Sequence, residues 1–349
     1  MADLEGDVHL CAEFIKITDP FPFAKHLTAE ILNHVRENFA DNEETYKLLA
    51  KYSASFEEGC QIFESALDNL STSKLWDFYV TYCHENAVDR ANENRLLDLL
   101  KRAHAKKQLL PKHYRIWLQL KPNQTLLSLV TTVLNNPPSA WQECDDFDKL
   151  CLTWLELSYR LSKTQSCMTL LRQALNYMDK LKNSHKTLPI WQCAVQKAVS
   201  NDTLDDLKAI LKAAVASADT DVSDWTKEFE LRLSLEIGGL QDARKTFRKL
   251  VNLKPTSYSF YELCLKMESE SPSPDPTQIK QVYELAILDH GKHSDELWMN
   301  YLKFCAKNTQ DFQSITERAL RTLTSESLSQ FQQKFVLYKT SINNPTKST

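Results

Sequence analysis

Large aromatic residues recur along this chain at a nearly constant interval. Trp76, Trp117, Trp154, Trp191, Trp225, Tyr261 and Trp298 are separated by 41, 37, 37, 34, 36 and 37 residues. Self-similarity at such a period predicts stacked helical hairpins, each hiding its apolar face only against its neighbours. A second series runs between them. Ala66, Ala103, Ala174, Ala213, Ala286 and Ala319 each follow a large aliphatic or aromatic residue by three or four positions. The first series predicts bulky knobs and the second the gaps where helices approach closely. The expected fold is all-α, a right-handed α-solenoid of about nine antiparallel helix pairs.

Composition supports helices over sheets. The 349 residues contain only five glycines (Gly6, Gly59, Gly238, Gly239 and Gly291), where average usage of about 7% would give roughly two dozen. Tight hairpins, phosphate loops and strained catalytic turns all draw on glycine. A hydrophobic content of 42% can fill a large interior, and a linear array escapes the size limit of one globular core. Net charge is −4, so any contact with nucleic acid must be local. Nine cysteines without a C-x-x-C pair, several among apolar neighbours as at Cys83 and Cys305, predict small buried hydrophobes in a reducing compartment. The N-terminus lacks a basic segment and an apolar run, so no signal peptide is expected. No stretch of about 18 apolar residues is available to span a bilayer. A soluble intracellular protein without membrane contact is the expectation.

Residues 8–17 read as a short helix stopped by Pro20 and Pro22, since proline lacks the amide hydrogen and clashes with the preceding turn. A longer helix follows over about 24–39, with Leu27, Ile31, Val35 and Phe39 on one stripe; two more lie near 43–53 and 56–70. The clearest unit begins at Ser73, where Trp76, Tyr79 and Cys83 share a face. Its partner helix covers about 91–108 through Leu96, Leu99, Leu100 and Ala103. After 222 residues the same grammar returns: Trp298, Tyr301, Phe304 and Cys305 repeat Trp76, Tyr79, Tyr82 and Cys83. Segment 109–138 is compressed, with Pro111, Pro122, Pro137 and Pro138 bracketing two short helices. Pairs are expected at 146–182, 187–217, 222–252, 256–290 and 293–323, then a capping helix at about 325–340. Ser271 to Pro276 reads as an exposed inter-helix loop. Residues 1–340 thus form one solenoid, most typical over 72–108 and 187–323, and 341–349 a polar tail.

Trp76, Tyr79, Trp154, Trp191, Trp225, Tyr261, Trp298 and Tyr301 are assigned as structural repeat positions. A stacking platform for single-stranded RNA is the competing reading, but helical spacing among apolar neighbours favours the core. Lys101, Arg102, His104, Lys106, Lys107, Lys112, His113 and Arg115 form the densest positive cluster. Of these, Lys101, Arg102, Lys106, Lys107 and Arg115 are the candidates for RNA or partner contact. The alternative, which weighs more, is a solvated helix end whose cations face the negative dipole terminus. Arg244, Lys245, Arg248 and Lys249 read as surface. His290 and His293 are the only close histidine pair and have no further ligand at metal spacing. Paired acids such as Glu57-Glu58, Asp145-Asp146 and Asp205-Asp206 fit helix starts. No G-x-S-x-G elbow, phosphate loop or redox cysteine pair occurs. No catalytic, cofactor-binding or metal-binding residue is assigned.

The grammar W-x-x-Y-x-x-F in one helix, followed by Tyr283-Glu284-x-Ala286 or Glu317-Arg318-Ala319-Leu320 in the next, resembles the half-a-TPR (HAT) repeat of RNA-processing proteins. Gly238 through Leu250, Leu188-Pro189-Ile190-Trp191 and the stretch from Val282 to Tyr301 are more specifically similar to one HAT-repeat family of the U-three (U3) set of the small-subunit processome. The similarity runs from about residue 8 to 335. It implies a non-enzymatic nucleolar scaffold supporting pre-rRNA cleavage and maturation of the small-subunit ribosomal RNA. The implied partners are other processome subunits, β-propeller proteins among them, with U3 small nucleolar ribonucleoprotein and pre-rRNA contacted indirectly. Members carry a further N-terminal region that helps dock neighbours, and this chain aligns from the family's middle onward. Either the sequence is part of a longer gene product, or some partner contacts made through that region are absent. Residues 109–138 and 256–270 depart from the repeat consensus, the latter with Tyr261, Cys264 and Met267 in place of tryptophan, tyrosine and phenylalanine. A HAT scaffold in pre-mRNA splicing or 3′-end processing would share the fold.

Overall fold

The computed structural model describes residues 8–18, 20–21, 25–162, 165–181, 186–201, 203–308 and 312–343. Among them the secondary structure is helix alone, apart from turns. The chain divides into two compact units, residues 1–197 and 198–349.

In the first unit the helices are α1 (Val8–Thr18), α2 (Lys25–Asn38), α3 (Glu43–Lys51), α4 (Phe56–Asn69), α5 (Ser73–Glu85), α6 (Arg90–Ala105), α7 (Pro111–Leu120), α8 (Gln124–Asn135), α9 (Phe147–Leu161) and α10 (Cys167–Met178). Helix α11 (Leu188–Ser200) ends three residues past the division. Consecutive helices pack as antiparallel pairs, and α1 with α3 and α3 with α5 also touch, as alternate members of a stacked array do. The hairpins start where the sequence supplies caps. Ser55, Thr72, Asp89 and Asn123 accept from Glu58, Leu75, Asn92 and Leu126 amides, which satisfies donors that the first turn leaves free. Pro111 fills the first position of α7, where its missing amide hydrogen costs nothing. At Gly59 a Cβ would meet the Tyr82 hydroxyl at 2.1 Å, so the missing side chain leaves the room that the Tyr82 ring of α5 occupies against α4.

The compressed segment packs in its own way. Helix α7 lies chiefly against α9, with α8 beside them. Between α8 and α9 a 3-10 turn over Ser139–Glu143 carries Trp141 inward. Its indole N–H donates to the Leu109 carbonyl at 3.1 Å. This tryptophan stands outside the repeating aromatic series, and it wedges the chain where two hairpins are shortened.

In the second unit α12 (Leu204–Val215) packs on α13 (Thr220–Leu250), and α13 with α14 (Tyr258–Ser269), α15 (Pro276–His290), α16 (Asp295–Lys307), α17 (Phe312–Thr322) and α18 (Ser325–Asn343) surrounds one core. Helix α13 occupies the place where a helix pair is predicted over 222–252. It kinks at Gly239, whose φ of 71° and ψ of −170° only glycine adopts without strain. The pair is there, joined by a single residue. Buried Lys227 donates to the carbonyls of Leu253 and Pro255, the latter without room for a water between. It staples the α13–α14 connection. Helix α18 packs on α16 and inserts Phe331, fully buried, and it runs three residues into the predicted tail. Residues 344–349 lie outside the described residues.

The two residue series land as follows. Trp76, Trp117, Trp154, Trp191, Tyr261 and Trp298 are buried, as are Tyr79 and Tyr301. Trp225 differs: it is half-buried and stacks on Phe229 at 5.3 Å. Among the alanines, Ala66, Ala103, Ala174, Ala286 and Ala319 have no exposed surface. Ala214, and not Ala213, takes that place in α12, a one-residue error that 100° of helical rotation makes decisive. Seven cysteines are buried, and Cys144 and Cys193 half-buried.

Candidate functional site

The seams between hairpins carry a polar cluster built twice from the same residue types. Glu64 of α4 accepts two parallel bonds from the Arg102 guanidinium of α6, both 2.7 Å. It also accepts from the Tyr79 hydroxyl of α5 at 2.9 Å. The guanidinium lies 5.9 Å from the Trp76 ring, and Phe63 stacks on Tyr79 at 5.0 Å. In the second unit, Glu284 of α15 accepts from Arg318 of α17 at 2.8 and 2.7 Å and from Tyr301 of α16 at 2.8 Å. Arg318 lies 5.8 Å from the Trp298 ring, and Tyr283 stacks on Tyr301 at 4.9 Å. The acid thus comes from one hairpin and the tyrosine, tryptophan and arginine from the next. The arginine hydrogen bonds hold both glutamates below the ordinary carboxylate range, while burial and then neighbouring groups push both phenols up. These are repeat-locking devices. Charge-assisted forks of this kind fix geometry as well as adding energy.

The seams differ in one respect. The Trp298 indole donates to the Gly291 carbonyl at 2.8 Å, whereas the buried Trp76 indole nitrogen has no partner. In a third seam, Tyr261 of α14 and Lys254 both reach Asp289 of α15.

The fold gives most members of the positive cluster named from sequence a carboxylate partner. Lys101 pairs with Asp98 at 2.8 Å, and Arg102 belongs to the seam. Arg115 lies 3.7 Å from Asp146, and Lys112 pairs with Asp77. His113 is not on the surface: it has no exposed area, its Nδ1 accepts from the Leu110 amide at 3.1 Å, and its Nε2 lies 2.8 Å from Asp77. With Nδ1 accepting, Nε2 carries the hydrogen and donates. Burial pulls the His113 pKa down, outweighing Asp77, so the ring is neutral near pH 7. Burial also pushes the Asp77 carboxyl up, but bonds from His113 and Lys112 outweigh that and hold it low. Lys106 and Lys107 are left as exposed cations without an ion pair among the described residues. They close α6 in a reversed turn: the Lys107 amide donates to His104 O and Gln108 to Ala103 O, with Lys107 at φ 58°. Glycine is the usual occupant of that position.

Arg244 is likewise not a surface residue. Its side chain is 14% exposed and grips Glu268, itself 3% exposed, through two bonds of 2.7 Å. Lys245, Arg248 and Lys249 stay on the outside with Asp242, Gln278 and Glu230.

A recess of about 460 Å³ opens beside α3, α4 and α5, with Phe56, Phe78 and Tyr82 on its walls and Lys47 and Lys51 at its rim. Lys47 lies 4.5 Å from the Phe78 ring centre and Lys74 5.5 Å. It is a shallow, mixed surface that suits a side chain of another macromolecule better than a small substrate. Among the described residues, no group of three or more His, Cys, Asp or Glu is placed to hold a metal ion. Among the described residues, no helix is long and apolar enough to cross a membrane.

A family described as the U3 small nucleolar RNA-associated protein 6 C-terminal region matches residues 57–323. That span contains both complete polar seams. Two curated relatives, each named U3 small nucleolar RNA-associated protein 6 homolog, come from Homo sapiens and Mus musculus. Each is 22% identical over 360 and 361 residues respectively, covering 93% of this chain. The chain spans 59% of the length of those relatives.

Proposed function

The chain belongs to the U3 small nucleolar RNA-associated protein 6 C-terminal family, and from that premise we propose that it is a non-enzymatic scaffold of the small-subunit processome. In this reading it supports pre-rRNA cleavage and maturation of the small-subunit ribosomal RNA, in the nucleolus. The match over residues 57–323 carries the reading, because it covers the array of hairpins that forms the working surface. In each unit successive hairpins present side chains to partners, β-propeller subunits among them. The recess around Phe78 receives one such partner side chain.

Contact with U3 RNA and pre-rRNA is indirect. Lys101, Arg102 and Arg115 already face carboxylates, so a phosphate would have to displace an acid from each. Within that cluster Lys106 and Lys107 leave too few unpaired cations for strong backbone binding there, which draws on several phosphate contacts at once.

The test is purification of the tagged chain from eukaryotic cells, with proteins and RNAs of the eluate identified. Enrichment of U3 RNA and processome subunits is expected. Enrichment of spliceosomal RNAs or 3′-end factors, with a dimer by light scattering, would replace the reading with a scaffold of messenger RNA processing. In the same assay Lys106→Glu with Lys107→Glu should change U3 recovery less than about twofold, whereas two direct phosphate contacts would cost far more.

A further inference from the structure

The connection between α14 and α15 has a chemistry that the scaffold role does not use. It reads Ser271-Pro272-Ser273-Pro274-Asp275-Pro276, and serine precedes proline nowhere else in the chain, nor does threonine. Alternating prolines bias Ser271, Ser273 and Asp275 to extended backbone, and Asp275 shows it, with φ −100° and ψ 106°. Pro272, Ser273 and Pro274 are exposed. Among the described residues, no backbone hydrogen bond outside the helices involves residues 271–274. This is a short, solvent-facing connection, bent over residues 271–273 and free of helix from 271 to 275, of the kind a kinase cleft can draw out and bind.

The two serines are not equivalent. The Ser271 hydroxyl is buried and without a partner, whereas Ser273 points to solvent as an exposed residue. Ser273 also shares a recess of about 490 Å³ with Arg244 and Gln241. Arg244 spends Nε and Nη2 on Glu268 and leaves Nη1 without a hydrogen bond among the described residues.

We propose that Ser273 is a phosphorylation site for a proline-directed serine/threonine kinase, and that its phosphate pairs with the free edge of Arg244. In the transfer, Ser273 Oγ bonds to the γ-phosphorus of ATP as the bond to the β–γ bridging oxygen breaks. The hydroxyl proton passes to the kinase's base and ADP leaves. The product carries a charge of about −1.5 to −2 near pH 7 beside a guanidinium that already bridges α13 and α14. It would tighten the loop onto α13 and add a strong negative charge to a recess whose charged lining is Arg244 and Asp275.

The full chain is incubated with a purified proline-directed kinase and Mg-ATP, and the modified residue is located by mass spectrometry. Incorporation at Ser273 is expected, abolished in Ser273→Ala and retained in Ser271→Ala. Modification mainly at Ser271, or none in the folded chain, overturns the assignment. The Arg244 contact is read separately by ³¹P titration. The phosphate's second ionisation should fall below that of the same phosphoserine in the free peptide of residues 266–280; equal values overturn the contact. The kinase assay contains no processome component, so its failure leaves the scaffold reading standing, and failure of that reading leaves this one.

Discussion

Replacing Trp298 with alanine should be among the most damaging single changes in the second unit. The indole has no exposed surface, so the substitution removes a whole buried ring from a close-packed seam. Aromatic-to-alanine changes of that kind cost about 3–5 kcal/mol. Two further losses push towards the top of that range. The N–H bond to the Gly291 carbonyl is worth about 1 kcal/mol, and the Arg318 contact over the ring about 0.5–1 kcal/mol. A total near 5 kcal/mol equals the lower end of whole-domain stability, so the second unit should be largely unfolded or barely folded at 25 °C. Trp225→Ala is the internal control. It occupies the same period in the sequence, but its ring is half-buried and stacks on Phe229 near the surface of the helix, so about 1 kcal/mol is expected. Urea unfolding followed by far-ultraviolet circular dichroism compares the two. Native-state hydrogen exchange of α15 and α16 amides localises the loss, which matters because two units need not unfold together. If the two variants differ by less than about 1 kcal/mol, burial of the ring is not what sets its contribution.

Three other outcomes follow from particular angles and charges. Gly239→Ala should cost about 1–3 kcal/mol through backbone strain alone, since nothing lies within 4 Å of the added Cβ; an unchanged urea midpoint would contradict a kink that depends on φ 71°. Lys107→Gly should stabilise the first unit by about 1 kcal/mol, because φ 58° strains any residue with a Cβ, and a loss of stability would show the lysine side chain holding the turn. The Glu284–Arg318 pair should give acid sensitivity. Arg318 lowers the folded pKa of Glu284 from its ordinary 4.5, so the contribution is complete above 4.5 and is lost as pH falls through the folded value. Arg318→Met should flatten the urea midpoint against pH in that range, by an amount under about 1 kcal/mol given the partial exposure of the pair; parallel curves for the two proteins would refute the linkage.

Helix pairing was legible because its signal is local: apolar residues three and four apart mark a buried face whatever lies opposite. Hence the boundaries over 146–323 differ from the structure by only a few residues, except that the break in α13 is a single glycine and not a loop. What the sequence hides is whatever depends on a partner from another hairpin. Glu64 and Arg102 are 38 residues apart, and each alone reads as surface charge. Arg244 looked exposed because Glu268, which draws it inward, belongs to the next helix. His113 looked cationic because its neighbours in sequence are lysine and tyrosine, whereas Asp77 and the Leu110 amide decide its state. Trp141 sits in a five-residue 3-10 turn that has no helical periodicity to betray it. Lysines 106 and 107 did read correctly as a helix end, while the strained angle that ends the helix carries no mark in the side chain.

The duplicated seam bears on how such a chain could be shortened or lengthened. A hairpin cut out at arbitrary points would strand an acid on one side of the join and a guanidinium on the other. A deletion of residues 70 through 289 would instead put Glu64 in the place of Glu284, opposite Tyr301 and Arg318, which supply the same hydroxyl and the same fork that Tyr79 and Arg102 supply now. Splicing is therefore tolerated where the two cut points are equivalent positions of the two seams, and a miniature built on that rule should fold where one cut a few residues away should not.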